Sequence, residues 1–370
     1  MAHFEGTDID VLGMTLAEYA AARRTHPQAV RLEYGRRLRS GADVAPLRPS
    51  RCERQDGLIK FCLPVGERAG HVLETESVLI PMHSYRGTSW YTLCVSSQVG
   101  CRMACTFCDT GHMGLLRNLT ASEIVRQRLA AAQLLPRPAN QPFRYFADGI
   151  RNIVFMGMGE PLDNFDQVVQ AIRVLNEPNG MDVPLGQITV STVGHVDGLC
   201  KLAALPRGRD WPNLRIAVSL NAANDALRET LVPVSKGTPL AELQRTLLEY
   251  PLARKGRYLI EYVLIKDVND ALQHADEVAA WCRPLPCIVN LIPYNPQRHA
   301  TYETPSDATV MRFLLRLRAQ GIFVKRRVTY GRDLMGACGQ LGNPELRHVQ
   351  RGPRSGMPSP LLDRCLPPYR

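Results

Sequence analysis

Three cysteines fall within one short stretch of the chain: Cys101, Cys105 and Cys108 in "VGCRMACTFCDTGHMG", residues 99–114. Spacings of three and then two intervening residues let one loop present three thiolates to one small inorganic centre. Cysteine thiolates bind zinc and iron–sulfur clusters. A structural zinc site takes a fourth ligand, and His112 is close enough in sequence to supply it. A cubane held by three cysteines leaves one iron open, which is a catalytic arrangement rather than a storage one. Spacing alone leaves both readings standing.

The elements that must position these thiols follow a regular pattern from residue 92. Apolar, β-branched runs at 92–98, 152–158, 187–192, 214–220, 257–265 and 287–294 predict six strands. Helical patterns lie between and after them, over about 165–176, 239–249, 270–283 and 307–320, the last stopping at Gly321. Another starts at the capping box of Thr120 with Glu123, and Thr15 with Glu18 opens a further helix over 15–24. Strands alternating with helices imply an α/β fold built on a parallel sheet with right-handed crossovers. An incomplete β/α barrel and an open doubly wound sheet both fit. In either, ligands bind at the C-terminal ends of the strands, where the cysteine loop falls. Before this core, 1–55 is expected to be a helical accessory region with a linker at 40–50. Residues 56–91 form a small β extension, the core spans 92–344, and the Pro- and Arg-rich 345–370 is a flexible tail.

Composition narrows the setting. The chain has 370 residues with 45% hydrophobic content, enough for one large core or two modest ones. The opening "MAHFEGTDID" has neither the basic nor the apolar stretch of a secretory signal, and no apolar run reaches the length of a membrane span. A soluble cytoplasmic protein is expected. In that setting eleven cysteines point to metal or redox chemistry at a subset rather than to a disulfide framework. A formal net charge of +10 suits a polyanionic partner. Basic residues concentrate at 23–39 and at 312–332, where Phe323 and Tyr330 interleave with them. Such runs can track phosphates, though they are more often solvated faces.

The cysteine spacing, with Phe107 before the last cysteine, resembles the signature of the radical S-adenosylmethionine (SAM) superfamily. A longer set of stretches resembles one family within it, the RlmN/Cfr adenine methyltransferases of ribosomal RNA and tRNA. These are "TLCVSSQVGC" (92–101), "FMGMGEPL" (155–162), "ITVSTVG" (188–194), "NDALRETLVPV" (224–234), "IEYVLIKDVND" (260–270), "NLIPYNP" (290–296) and "GACGQL" (336–341). The resemblance implies a partial (β/α)6 barrel and a [4Fe–4S] cluster on Cys101, Cys105 and Cys108, with SAM on the fourth iron and two SAM consumed per turnover. It implies SAM contacts from Gly157, Gly159, Glu160, Ser191, Ser219, Leu220, Asn221 and Asn295. It implies an S-methylated Cys338 that forms a covalent adduct with the adenine ring. Cys94 then removes the ring proton and closes a transient disulfide with Cys338. Glu76 matches a family proton acceptor, its plain alternative being an exposed strand carboxylate. The implied partners are 23S ribosomal RNA, tRNA or both, and a one-electron donor such as flavodoxin, with the enzyme a monomer. Two positions depart from the family: Asn221 stands where His is usual, and Asp109, after the last cluster cysteine, either lowers the cluster potential or faces water.

Overall fold

The computed structural model describes residues 9–40, 47–135, 149–205, 211–298, 300–327, 331, 334–343 and 346. Most of the expected linker, the tail from 347 with Cys365, and the basic-cluster members Tyr330 and Arg332 lie outside the described residues.

Both capping boxes form as the sequence predicts. Thr15 caps α1 (Leu16–Ala22), and α2 (Pro27–Ser40) follows it. An antiparallel meander comes next: β1 (Arg51–Gln55), β2 (Leu58–Arg68) and β3 (His71–His83), which pairs with β4 (Ser89–Cys94). The cysteine loop lies between two short strands, β5 (Gln98–Val99) and β6 (Arg117–Asn118), and contains α3 (Asp109–Met113). Thr120 caps α4 (Ala121–Leu134). The alternating core then runs β7 (Ile150–Phe155), α5 (Phe165–Asn176), β8 (Ile188–Thr192), α6 (Val196–Ala203), β9 (Arg215–Ser219), α7 (Asp225–Leu231) and α8 (Leu240–Glu249). It closes with β10 (Tyr258–Leu264), α9 (Leu272–Cys282), β11 (Cys287–Pro293), α10 (Asp307–Ala319) and β12 (Val324–Arg326).

Strand order decides between the two predicted architectures. From β4 the parallel strands lie in the order β4-β7-β8-β9-β10-β11-β12, each beside its successor in the chain. A doubly wound sheet reverses direction at a switch point; this one never does, so it is an incomplete barrel. The short β12 is a seventh parallel strand that the sequence pattern did not separate from the basic run around it. The β extension is continuous with the barrel sheet through β3 and β4.

The helices cover the sheet through the stripes the sequence lays down. In α10, Val310, Phe313, Leu314 and Leu317 are buried at helical spacing, and the Phe313 ring stacks on Tyr262 of β10 at 5.4 Å. Each such side chain contributes about 1.5–3 kcal/mol of transfer free energy. The basic run 23–39 is largely α2. Its Val30, Tyr34 and Leu38 are buried one turn apart, so this run is an amphipathic helix with its apolar stripe packed inward. Arg37 lies over the Tyr19 ring, and Arg39 bonds the carbonyls of Asn179 and Gly180. The run 312–332 disperses too: Arg316 pairs with Asp276, Arg326 with Asp307, and Arg327 with Glu261. Among the described residues no helix is long and apolar enough to cross a membrane.

Candidate active site

The cysteine loop is held shut by its own backbone. Gly100 has φ +75°, and a Cβ there would collide with the carbonyl oxygen of Gly114. That carbonyl accepts from the Cys101 N–H at 3.0 Å, while Leu116 N–H closes on Val99 O at 2.9 Å. Only glycine permits the approach. The loop thereby turns Cys101, Cys105 and Cys108 into one cavity of about 150 Å3 at the C-terminal ends of the barrel strands. Met103 and Phe107 wall it, and both are buried.

Around that cavity the structure also brings Gly157, Gly159, Glu160, Ser191, Ser219 and Asn221 from the ends of three consecutive strands, β7, β8 and β9. Glu160 is 2% exposed and accepts from Leu162 N–H at 3.1 Å and Val193 N–H at 2.9 Å. Burial pushes its carboxyl up to about 7, against those hydrogen bonds. A bound ammonium would return it to the charged form. Gly159 has φ +101°, and a Cβ there would meet the Gln98 side chain, whose Oε1 accepts from the Glu160 N–H. Asn221 has φ +58°, a conformation Asn tolerates better than most side chains. Its Oδ1 accepts from Val263 N–H and its carbonyl from Asn269 Nδ2. The position therefore serves backbone geometry as well as the cavity wall.

Burial raises all three loop thiols above the ordinary range; neighbouring thiols add to it at Cys101 and Cys105, and the Asp109 carboxylate adds to it at Cys108. Three such groups sharing one buried space call for a cationic centre to hold them as thiolates. Among the described residues no three His, Cys, Asp or Glu side chains converge at the spacing one metal ion takes. The thiols surround a space instead of meeting at a point. Donor chemistry and cavity together fit an iron–sulfur cluster better than a single zinc with His112.

Cys338 stands between this cavity and a smaller one of about 50 Å3, which Cys94, Val78, Asn295 and Leu58 help to line. Arg327 and Met156 also border both spaces. The Cys94 thiol is pushed up to about 12, chiefly by burial and then by Cys338, while Arg327 pulls it back. Arg327 is in turn held firmly charged, above all by Cys338 and against its own desolvation, with Glu261 and Cys94 contributing. The Cys338 segment is pinned to the cysteine loop: Asp109 N–H donates to Gly339 O at 2.8 Å and Thr110 Oγ1 to Leu341 O at 2.6 Å.

Several expectations need correction. Glu76 is not an exposed strand carboxylate: it is 3% exposed, with Lys60 Nζ 2.8 Å from Oε2. Because β3 is antiparallel to β4 and Val78 faces Cys94, Glu76 lies just beyond the C-terminal end of β4, on the ligand side. Lys60 also donates to Met335 O at 3.0 Å and Leu334 O at 3.4 Å, tying Glu76 to the segment that carries Cys338. Asp109 does not face water; it is 1% exposed. Leu220 does not line the cavity. Its side chain is in the core, and its carbonyl accepts from Arg228 Nε. Asn295 reaches the smaller cavity and donates to Cys338 O at 3.2 Å. Sequence reasoning missed Lys60, Arg327 and Asn269. The first two belong to a strand and a basic run with no motif of their own. Asn269 was visible inside a matching stretch, and it cross-links the loops after β9 and β10.

A barrel with a three-cysteine loop at its mouth is the architecture of a radical SAM enzyme, and the radical SAM superfamily pattern matches residues 95–278. A crystal structure of a radical SAM methyltransferase from Sphaerobacter thermophilus superposes with a TM-score of 0.75 at 36% identity, covering 89% of this chain and 98% of that one. Among curated proteins, the probable dual-specificity RNA methyltransferase RlmN 1 of Protochlamydia amoebophila is 44% identical over 74% of this chain and 71% of its own length. The dual-specificity RNA methyltransferase RlmN of Desulfotalea psychrophila is 40% identical over 79% of this chain and 76% of its own. The chain belongs to the RlmN family of RNA methyltransferases. It is a SAM-dependent enzyme of the radical SAM superfamily, which implies a [4Fe–4S] cluster and SAM as cofactors.

Proposed function

We propose that the chain methylates a ring carbon of adenosine, carbon 2 or carbon 8, in 23S ribosomal RNA or tRNA, through a methylated Cys338. The observation that carries this reading is the meeting of Cys94 and Cys338, distant in sequence, at a small cavity adjoining that of the three loop cysteines. The relatives' description as RNA methyltransferases supports the substrate class.

Cys101, Cys105 and Cys108 would hold the cluster, with SAM bound against Glu160, Ser191, Ser219 and Asn221. The bound cluster and SAM supply the methyl group and the adenosyl radical that activates it, drawing electrons from an outside one-electron donor. Cys338 carries the methyl carbon as a thioether and presents it to the adenine ring, which is too electron-poor there to attack a methyl donor directly. Glu76, or Cys94 itself, accepts the ring proton. Attack of the Cys94 thiolate on the Cys338 sulfur breaks its bond to the methylene carbon, which leaves with the bonding pair as an enamine carbon of the adenine and takes up a proton to become the product's methyl group, while the disulfide left behind is reduced by a cellular dithiol. Arg327 favours the thiolate form of Cys94.

Mass spectrometry of the purified protein tests this: Cys338 is expected to carry one added methyl, and nucleosides from treated RNA a methyladenosine. A Cys338→Ala protein that still methylates RNA overturns it.

A further inference from the structure

The other end of the barrel carries a second concavity. At the N-terminal ends of β10, β11 and β12 lies a cavity of about 550 Å3, larger than the one at the cysteine loop. Arg254, Lys255, Arg257 and Arg283 line it, with no acidic side chain among the described lining residues. None of these four side chains makes a hydrogen bond or ion pair with another described residue. Elsewhere the chain does pair its cations, as at Arg316 with Asp276 and Arg102 with Asp163.

Like charges around a concave wall repel, and the low-dielectric protein beneath them focuses their field outward. Arg283 has a local role as the C-cap of α9, opposite the negative end of that helix. The other three lie in the loop after α8, which ends at Glu249, and of these only Arg257 has a charge partner nearby, the Cys287 thiol, whose pKa it helps to lower. Leu285 and Ile322 supply apolar lining. At the rim the Phe323 ring is 54% exposed, with Lys325 Nζ 5.6 Å from its centroid. Unpaired cations with an open aromatic face are the two halves of a nucleotide site: charge for phosphate, and a ring on which a base can stack. The seven residues of β10 separate this cavity from the strand ends that carry the active site, by on the order of 20 Å.

The geometry points to a second, non-catalytic site at the N-terminal ends of β10–β12, where Arg254, Lys255, Arg257, Arg283 and Phe323 take a phosphate-bearing nucleotide unit. It stands whether or not the methylation scheme holds. The nucleotide comes either from an RNA strand continuing past the target residue or from a free nucleoside triphosphate, and one experiment separates them. Full-length protein, an Arg254→Gln/Arg257→Gln/Arg283→Gln variant and Phe323→Ala are titrated with a labelled single-stranded oligoadenylate across a salt series, and separately with ATP. For RNA, removing three phosphate contacts lowers the slope of log affinity against log salt by about 2. Phe323→Ala, which leaves every charge in place, weakens oligonucleotide binding about fivefold or more. For a free nucleotide, ATP binds the wild type and not the triple variant, with oligonucleotide affinity unchanged. Variants that bind both ligands as the wild type does overturn the site.

Discussion

Replacing Lys60 with Met asks whether the buried Glu76 depends on one partner. Lys60 is 5% exposed and Glu76 is 3% exposed. Their 2.8 Å contact lies off the angle of a directed hydrogen bond, so Coulomb attraction carries it. Removing one member of a buried pair costs about 3–5 kcal/mol, because the other charge stays buried. Arg51, half-exposed and 3.8 Å from the other carboxylate oxygen, returns about 1 kcal/mol. Lys60→Met should therefore destabilise the fold by about 2–4 kcal/mol. Glu76→Gln alone leaves a buried ammonium that keeps its bonds to Leu334 and Met335, and costs about 2 kcal/mol. The double variant buries no charge, so it should be no worse than Lys60→Met alone, a coupling of about 2 kcal/mol. Urea unfolding of the four proteins measures the cycle. Two single effects that add to within about 0.5 kcal/mol would refute the pairing. Lys60→Met should also free the backbone before Cys338, read as a lower fraction of methylated Cys338 in protein that remains folded.

Other outcomes follow from the same geometry. With the Cys94 thiol near 12, its thiolate fraction rises about tenfold per pH unit through the neutral range. Decay of the protein–RNA adduct should accelerate accordingly between about pH 7 and 9 and slow in Arg327→Met, where the charge that lowers the Cys94 pKa is gone; a flat pH profile excludes Cys94 as the resolving thiol. Cys105→Ala should purify without the iron and sulfide of the wild type, whereas colourless wild-type protein holding zinc would reject the cluster. Gly100→Ala forces a Cβ into Gly114 and a side chain into φ +75°, at about 2–4 kcal/mol; calorimetry and iron content should both fall, and an unchanged melting curve would show that the loop closes another way.

The strands and helices were legible wherever period and caps agreed. Helix α5 occupies the span its pattern predicted, 165–176, and both capping boxes formed. Helix α2 was obscured because six arginines between 23 and 39 drew attention to charge while the Val30, Tyr34, Leu38 stripe is only one residue wide per turn. At 312–332 part of the charge is neutralised by acids the run itself does not show: Asp276 on α9 pairs with Arg316, and Asp307 at the far end of α10 with Arg326.

The sequence by itself determined the donor chemistry of the cysteine loop, the alternating strands behind it and the family to which the chain belongs. These depend on residue type and short-range spacing, which survive in one dimension. Only the tertiary structure decided that the sheet is a barrel, that Cys338 lies beside Cys94, that Lys60 holds Glu76, and that Leu220 points into the core. Each of these depends on which strands become neighbours, and neighbour choice is set by burial summed over the whole sheet. The basic cavity at the other end is the plainest case. Its cations come from the loop before β10 and the end of α9, and they form one site only because parallel strands bring all their N-terminal ends to the same face.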